Sequence, residues 1–300
     1  MKRALILSAI VSVLVLFAGC IIIDDSLDYR SDLSDYEVKK IVRKVLVSQN
    51  SINRAGLVTS DGLEKLITNR SRYYDNRISC TEGGYITFTL SGGDLSVSFT
   101  TDTLLHIVYD DCRYRPFYYE QSRLNGSLDI RYNQRHEDAR GKLLDFTIRY
   151  FDTSLYTKEG SVRINGEMGV HYDEAYWQHQ LALVFSSNRL EIANRDYYER
   201  DIFTNIVLEY GIDTRTYHYT YHYSGTLYNS YLGTLSFTTL DAMQGYSNQN
   251  PQKGRFKISN AHVTLRVVPI DDYYVDIIVE GHDYTGQNRT IHTTWINIGL

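Results

Sequence analysis

Residues Leu144-Asp-Phe-Thr-Ile-Arg-Tyr150 are apolar at every even position and polar at every odd one. Successive side chains of a strand point to opposite faces, so this period of two predicts a strand with one face buried and the other in water. The same alternation extends in both directions. Upstream it covers Tyr85-Ile-Thr-Phe-Thr-Leu90, Leu95-Ser-Val-Ser-Phe99, Leu104-Leu-His-Ile-Val-Tyr109 and Leu128-Asp-Ile-Arg-Tyr132. Downstream it returns in Val162-Arg-Ile164, Leu181-Ala-Leu-Val-Phe185, Leu235-Ser-Phe237, Phe256-Lys-Ile258, Val263-Thr-Leu-Arg-Val267, Val275-Asp-Ile277 and Ile291-His-Thr-Thr-Trp295. Gly92-Gly93, Asn125-Gly126, Asn165-Gly166, Ser259-Asn260 and Thr285-Gly286 read as the turns between them. About 12–14 strands follow, with no helical pattern between them, which excludes parallel βαβ units. The expected fold is mainly β: a large curved antiparallel sheet, two linked sheets or a partial barrel.

Composition agrees. The 300 residues include 27 Tyr but only three Pro, and aromatic richness of this kind favours sheet. With 43% hydrophobic and 22% charged residues, neither wholesale disorder nor a multispan membrane protein fits. Lys plus Arg number 31 against 36 Asp plus Glu, a net charge of −5 and the wrong sign for a nucleic-acid partner.

Ahead of the strands the period changes. Val38, Ile41, Val42, Val45 and Leu46 repeat at helical spacing and predict a helix over about residues 35–50. Ser34 with Glu37 fits a capping box, and Leu33 with Val38 a hydrophobic staple. Leu63, Leu66 and Ile67 mark a second short helix over about residues 60–69, with Ser60 as its cap. The two form a short N-terminal helical pair that must dock on the sheet.

Lys2 and Arg3, the apolar run Ala4–Ala18 and then Gly19-Cys20 have the shape of an export signal. The block Leu16-Phe17-Ala18-Gly19-Cys20 resembles the lipobox of bacterial lipoproteins, departing at Phe17 from the family's preferred Leu. The resemblance implies cleavage before Cys20, acylation of its thiol, and a membrane-bound mature chain. Ile21, rather than Asp, after the cysteine implies sorting to the outer membrane, with the periplasmic or cell-surface face left open. The expected plan is a signal peptide over 1–19, an acidic tether over 20–33, a helical segment over 34–78 and a β body over 79–300.

Export would place Cys80 and Cys112 in an oxidising compartment. Each lies beside a predicted strand, with no C-x-x-C spacing, so a structural disulfide is the expectation. Gly126-Ser-Leu-Asp-Ile, Gly160-Ser-Val-Arg-Ile, Gly225-Thr-Leu-Tyr-Asn and Gly254-Arg-Phe-Lys-Ile form a weak repeat that could divide the body into related halves, about 80–172 and 178–300. The set Cys80, Gly83-Gly84, Cys112 and Asn125 to Leu128 is similar to β-rich Gram-negative lipoproteins built on wide antiparallel sheets. That resemblance implies no activity.

Tyr217-His-Tyr-Thr-Tyr-His-Tyr-Ser224 places Tyr217, Tyr219, Tyr221 and Tyr223 on one strand face and His218 and His222 on the other. Two imidazoles four residues apart on a strand are about 13 Å apart, too far to share a metal, so no metal site is expected. The tyrosines read as a half-buried sheet face or an exposed platform for glycan, and Trp177 beside Tyr176 as a hairpin-tip ring that either folds back or binds. No G-x-S-x-G, H-E-x-x-H or P-loop is present, and no cofactor is implied. The resulting expectation is a lipid-anchored envelope protein acting as a non-catalytic binding or structural module, with a lipid or glycan ligand. A glycan-binding or glycan-active protein is the alternative.

Overall fold

The computed structural model describes residues 33–68, 76–91, 104–115, 121–157, 160–194, 199–229, 233–247, 249–281 and 288–300. Cys20 and its tether, the alternating stretch 95–99, and the glycine turns at 92–93 and 285–286 lie outside them. The described chain begins with helix α1, Asp35–Thr68. Three strands lead into the sheet: β1 Arg77–Ser79, β2 Tyr85–Ser91 and β3 Leu104–Tyr114. Seven long ones follow: β4 Ser122–Glu137, β5 Gly141–Thr157, β6 Gly160–Ala175, β7 Gln180–Asn194, β8 Glu199–Asp213, β9 His218–Asn229 and β10 Gly233–Tyr246. The chain closes with β11 Lys253–Ser259, β12 Val263–Pro269, β13 Tyr274–Gly281, β14 Arg289–Thr294 and the short helix α2, Trp295–Ile298.

The protein is mainly β. Among the described residues, 14 strands form one open antiparallel sheet whose order is the order of the sequence. The period-two reading holds along it: in β5, Leu144, Phe146, Ile148 and Tyr150 are buried while the residues between them face outward. On the outer face, cross-strand register partners pair an imidazole with a carboxylate, His106 with Asp129, His171 with Asp145 and His292 with Asp276.

The helical pair is a single helix. The 34 residues of α1 give an axle about 50 Å long at 1.5 Å per residue. Sequence periodicity divides this helix because it looks for one wet face, and residues 51–60 are almost wholly buried on every side. The hydroxyls there bond within the helix: Ser51 donates to the Val47 carbonyl, Thr59 to Ala55 and Ser60 to Gly56, each at 2.8 Å. Ser60 is thus a mid-helix residue rather than a cap. Gly56 admits the closest approach, since a Cβ there would lie 2.1 Å from the Phe185 ring of β7. The N-terminal cap is as the sequence predicts, with the Ser34 N–H donating to Glu37 Oε2 at 2.8 Å and the Glu37 N–H to Ser34 Oγ at 3.3 Å.

The sheet wraps this axle. Gly62 faces Tyr109 of β3 and Ile86 of β2, Arg54 donates to Ser122 of β4, Ser48 meets Tyr223 of β9, and Asp35 pairs with Arg289 of β14. A row of register shifts allows the curvature. Asp111, Asp152 and Asn205 have positive φ within β3, β5 and β8, and Gly126, Gly166 and Gly225 have it within β4, β6 and β9. Such bulges bend a strand and increase its twist. Gly166 shows why glycine is needed: φ is +123°, and a Cβ would lie 2.7 Å from the Arg189 carbonyl oxygen. Asn125-Gly126 and Asn165-Gly166 are therefore creases inside strands rather than hairpin turns, and the strands are longer than expected. Gly126, Gly225 and Gly254 of the weak repeat are positive-φ positions inside strands. The boundary expected near residues 172–178 falls at the hairpin joining β6 to β7, which pair from Val162–Asn194 to Ala175–Gln180. Trp295, expected to end a strand, opens α2 and is fully buried, its indole N–H donating to the Asp271 carbonyl at 3.2 Å.

Candidate functional site: a cationic groove at the N-terminal end of the axle

The residues that stand out in the sequence do not come together. Tyr219, Tyr221 and Tyr223 of β9 are buried on the inner face, which excludes them as an exposed platform. Tyr219 stacks on Tyr210 with centroids 5.9 Å apart, and Tyr223 packs 4.6 Å from Phe237. The Tyr223 hydroxyl lies 3.0 Å from Ser48 Oγ of α1, and burial pushes its phenol well above the ordinary tyrosine range. Tyr217 precedes β9 in a left-handed turn, φ +59°. His222 faces outward opposite Glu209, and the His218 ring meets Tyr246 edge-on. Among the described residues no three His, Cys, Asp or Glu side chains converge as metal ligands.

Trp177 lies at the β6–β7 hairpin tip. Its indole N–H donates to the Ala139 carbonyl at 2.9 Å while 80% of the residue stays exposed. The ring is thus tethered to the neighbouring turn, with its surface left in water. A glycan-active site would need paired carboxylates, but Glu167, Glu191 and Glu209 lie on the sheet's outer side and Asp201 on the inner. Cys80 and Cys112 stand at disulfide distance, Cα atoms 5.5 Å apart, and would clamp the β1–β2 turn to β3.

The site the geometry builds lies elsewhere. Tyr36, Lys39, Lys40, Arg43, Lys44 and Val47 share one face of α1, because steps of three and four return to the same side of a helix. That face looks onto the start of β6, the end of β7 and the start of β8, while α2 closes one side. Between them lies a partly open groove of about 190 Å³. Val47, Val162, Ile192, Phe203 and Ile298 supply an apolar floor, and Lys39, Lys40 and Arg43 a cationic rim. Deeper, Lys44 Nζ lies 3.0 Å from Asp201 Oδ1, both side chains only 10% exposed. Tyr36 is 76% exposed at the mouth, and Ile296, beside the lining residue Asn297, is 67% exposed. Arg43 packs against the C-terminal turn, where a Cβ on Gly299 would lie 2.6 Å from its Nε.

Sequence reasoning missed this groove. The available signal was the run of cations at 39, 40, 43 and 44 in a chain of net charge −5. The floor could not be anticipated, because its residues come from three strands and the C-terminal turn. Among the described residues no helix is long and apolar enough to cross a membrane. Comparison with protein-family models, curated proteins and solved structures gives no match, so the functional reading rests on this chain's own chemistry.

Proposed function

We propose that the protein is an exported lipoprotein, tethered through acylated Cys20 to the outer membrane, that works as a non-catalytic binding module. The observation that carries this is a groove with a cationic rim and an apolar floor at the end of α1 nearest the tether. Residues 20–33 span at most about 50 Å when extended, so the mouth beside Tyr36 stays within reach of the bilayer surface. Cys80 and Cys112 at disulfide distance suit an oxidising envelope. Binding rather than chemistry is favoured because Asp201, the carboxylate in the groove, is held in an ion pair by Lys44 rather than set against a nucleophile. The core is otherwise filled by α1, which argues against a carrier enclosing a whole lipid.

The tether is tested by Cys20→Ser. Incorporation of radiolabelled palmitate and partition into the detergent phase should both be lost. Unchanged values for both would reject the anchor.

One observation favours a second reading. The Trp177 ring is exposed while its N–H is held, a preorganised flat face of the kind that stacks on sugars. Quenching of tryptophan fluorescence by cell-wall oligosaccharides, lost in Trp177→Ala, would support a glycan role. No quenching would dismiss it.

A further inference from the structure

The groove has two kinds of wall. Lys39 and Arg43 line the rim, and Lys44 is already neutralised by Asp201. Below them the floor of Val47, Val162, Ile192, Phe203 and Ile298 offers no charge. A ligand that uses both must carry an anionic end and an apolar end a few atoms apart. An inorganic anion would leave the floor wet, and a neutral alcohol would leave the cations unmatched.

Resting on the reading of this groove as a binding site, we propose that it takes a single-chain anionic amphiphile, an alkyl phosphate or carboxylate, holding the headgroup and the first carbons of the chain. Size supports one chain: the groove is about 190 Å³, whereas pockets that enclose a drug-sized ligand run to roughly 300–1,000 Å³. The rest of the chain leaves through the open mouth past Tyr36. Charge supports local recognition. The net −5 of the whole chain repels polyanions at a distance. The rim cations act only within a Debye length of about 8 Å.

The test uses the full chain in phosphatidylcholine nanodiscs, with empty nanodiscs as blank, titrated calorimetrically with decyl phosphate below its micelle concentration. Saturable one-to-one binding is expected, with decanol and inorganic phosphate each much weaker. Lys39→Gln with Arg43→Gln should weaken decyl phosphate binding by about tenfold or more, the scale of losing one charge-assisted hydrogen bond. Val47→Trp, which fills the groove from its edge, should abolish it. Lys257→Gln with Arg266→Gln removes the same charge from cross-strand partners on the outer face and should change nothing. Equal weakening by both double variants, equal affinity for inorganic phosphate, or no saturable binding would overturn the proposal. Tighter binding after Asp24→Asn with Asp25→Asn would also overturn it, assigning the groove to the chain's own acidic tether. Saturable binding together with unchanged palmitate incorporation in Cys20→Ser would sink the anchor and leave this inference standing, whereas palmitate lost in Cys20→Ser but no saturable binding by the lipidated chain would sink this inference alone.

Discussion

The two ends of α1 sit in the same sheet and are finished in opposite ways. At the C-terminal end charges cancel. Glu64 Oε1 lies 3.5 Å from Arg135 and 3.8 Å from Lys142, Lys142 lies 3.5 Å from Glu174, and the Tyr172 hydroxyl donates to Glu174 at 2.8 Å. Lys65 pairs with Asp61 and bonds Thr81, next to the Cys80–Cys112 clamp. At the N-terminal end, Lys39 and Arg43 line a groove whose carboxylate is taken by Lys44. One end is a clasp that spends its charges on itself. The other leaves positive potential beside apolar surface, which a folded protein does not need for stability. That asymmetry marks the N-terminal end as the working one.

The largest expected effect would show whether the two ends share one cooperative core. Tyr109 faces Gly62 near the clasp, Tyr223 reaches Ser48 near the groove, and Tyr150 is fully buried with them. Burial is the main cause raising each phenol far above its ordinary value of 10.0. The unfolded chain therefore loses these protons above pH 10 while the folded one keeps them, so stability falls as pH rises. Each phenol thereby removes about 1.4 kcal/mol of stability between pH 9 and 11, or roughly 4 kcal/mol for the three. Denaturant midpoints measured from pH 9 to 11 should fall in a single transition. Two separate transitions would break the comparison by making the ends independent.

Next in size is the clamp. Removing it with Cys80→Ser and Cys112→Ser frees a loop of sequence separation 32. The expected loss is about 3–4 kcal/mol in urea unfolding. A loss below about 1 kcal/mol would mean that the clasp end does not depend on the crosslink.

The smallest effects sharpen the contrast directly. Glu64→Gln leaves Arg135 and Lys142 facing one another without their shared carboxylate and should cost about 1–2 kcal/mol. Lys39→Gln with Arg43→Gln should change stability by less than about 0.5 kcal/mol, because both cations stand partly exposed at the groove's rim. Similar losses from both variants, read from the same urea curves, would show that the groove cations are structural.

Parts of this were legible in residues alone. The alternation Leu144–Tyr150 gives the buried face of β5, and Ser34 with Glu37 marks the start of α1. The middle of α1 was not legible, because a helix surrounded on all sides has no polar stripe to set its period. Asn165-Gly166 was legible as a left-handed position but not as a bulge, since turns and bulges ask the same φ of glycine. The tyrosines of β9 were legible as one face. Whether that face was wet depended on which side of the wrap it took.

Local chemistry thus determined the antiparallel strands, the start of the helix, the pair of cysteines to be joined and the face each strand would bury. These follow from periods of two and 3.6 and from capping, which involve neighbours a few residues apart. Tertiary structure alone decided that the sheet would curve around one long helix, and that Val162, Ile192 and Phe203 would meet Lys39, Lys40 and Arg43. The physical reason is range: a groove between a helix and three distant strands exists only once bulges have bent the sheet over its axle, and no short window of sequence holds both walls.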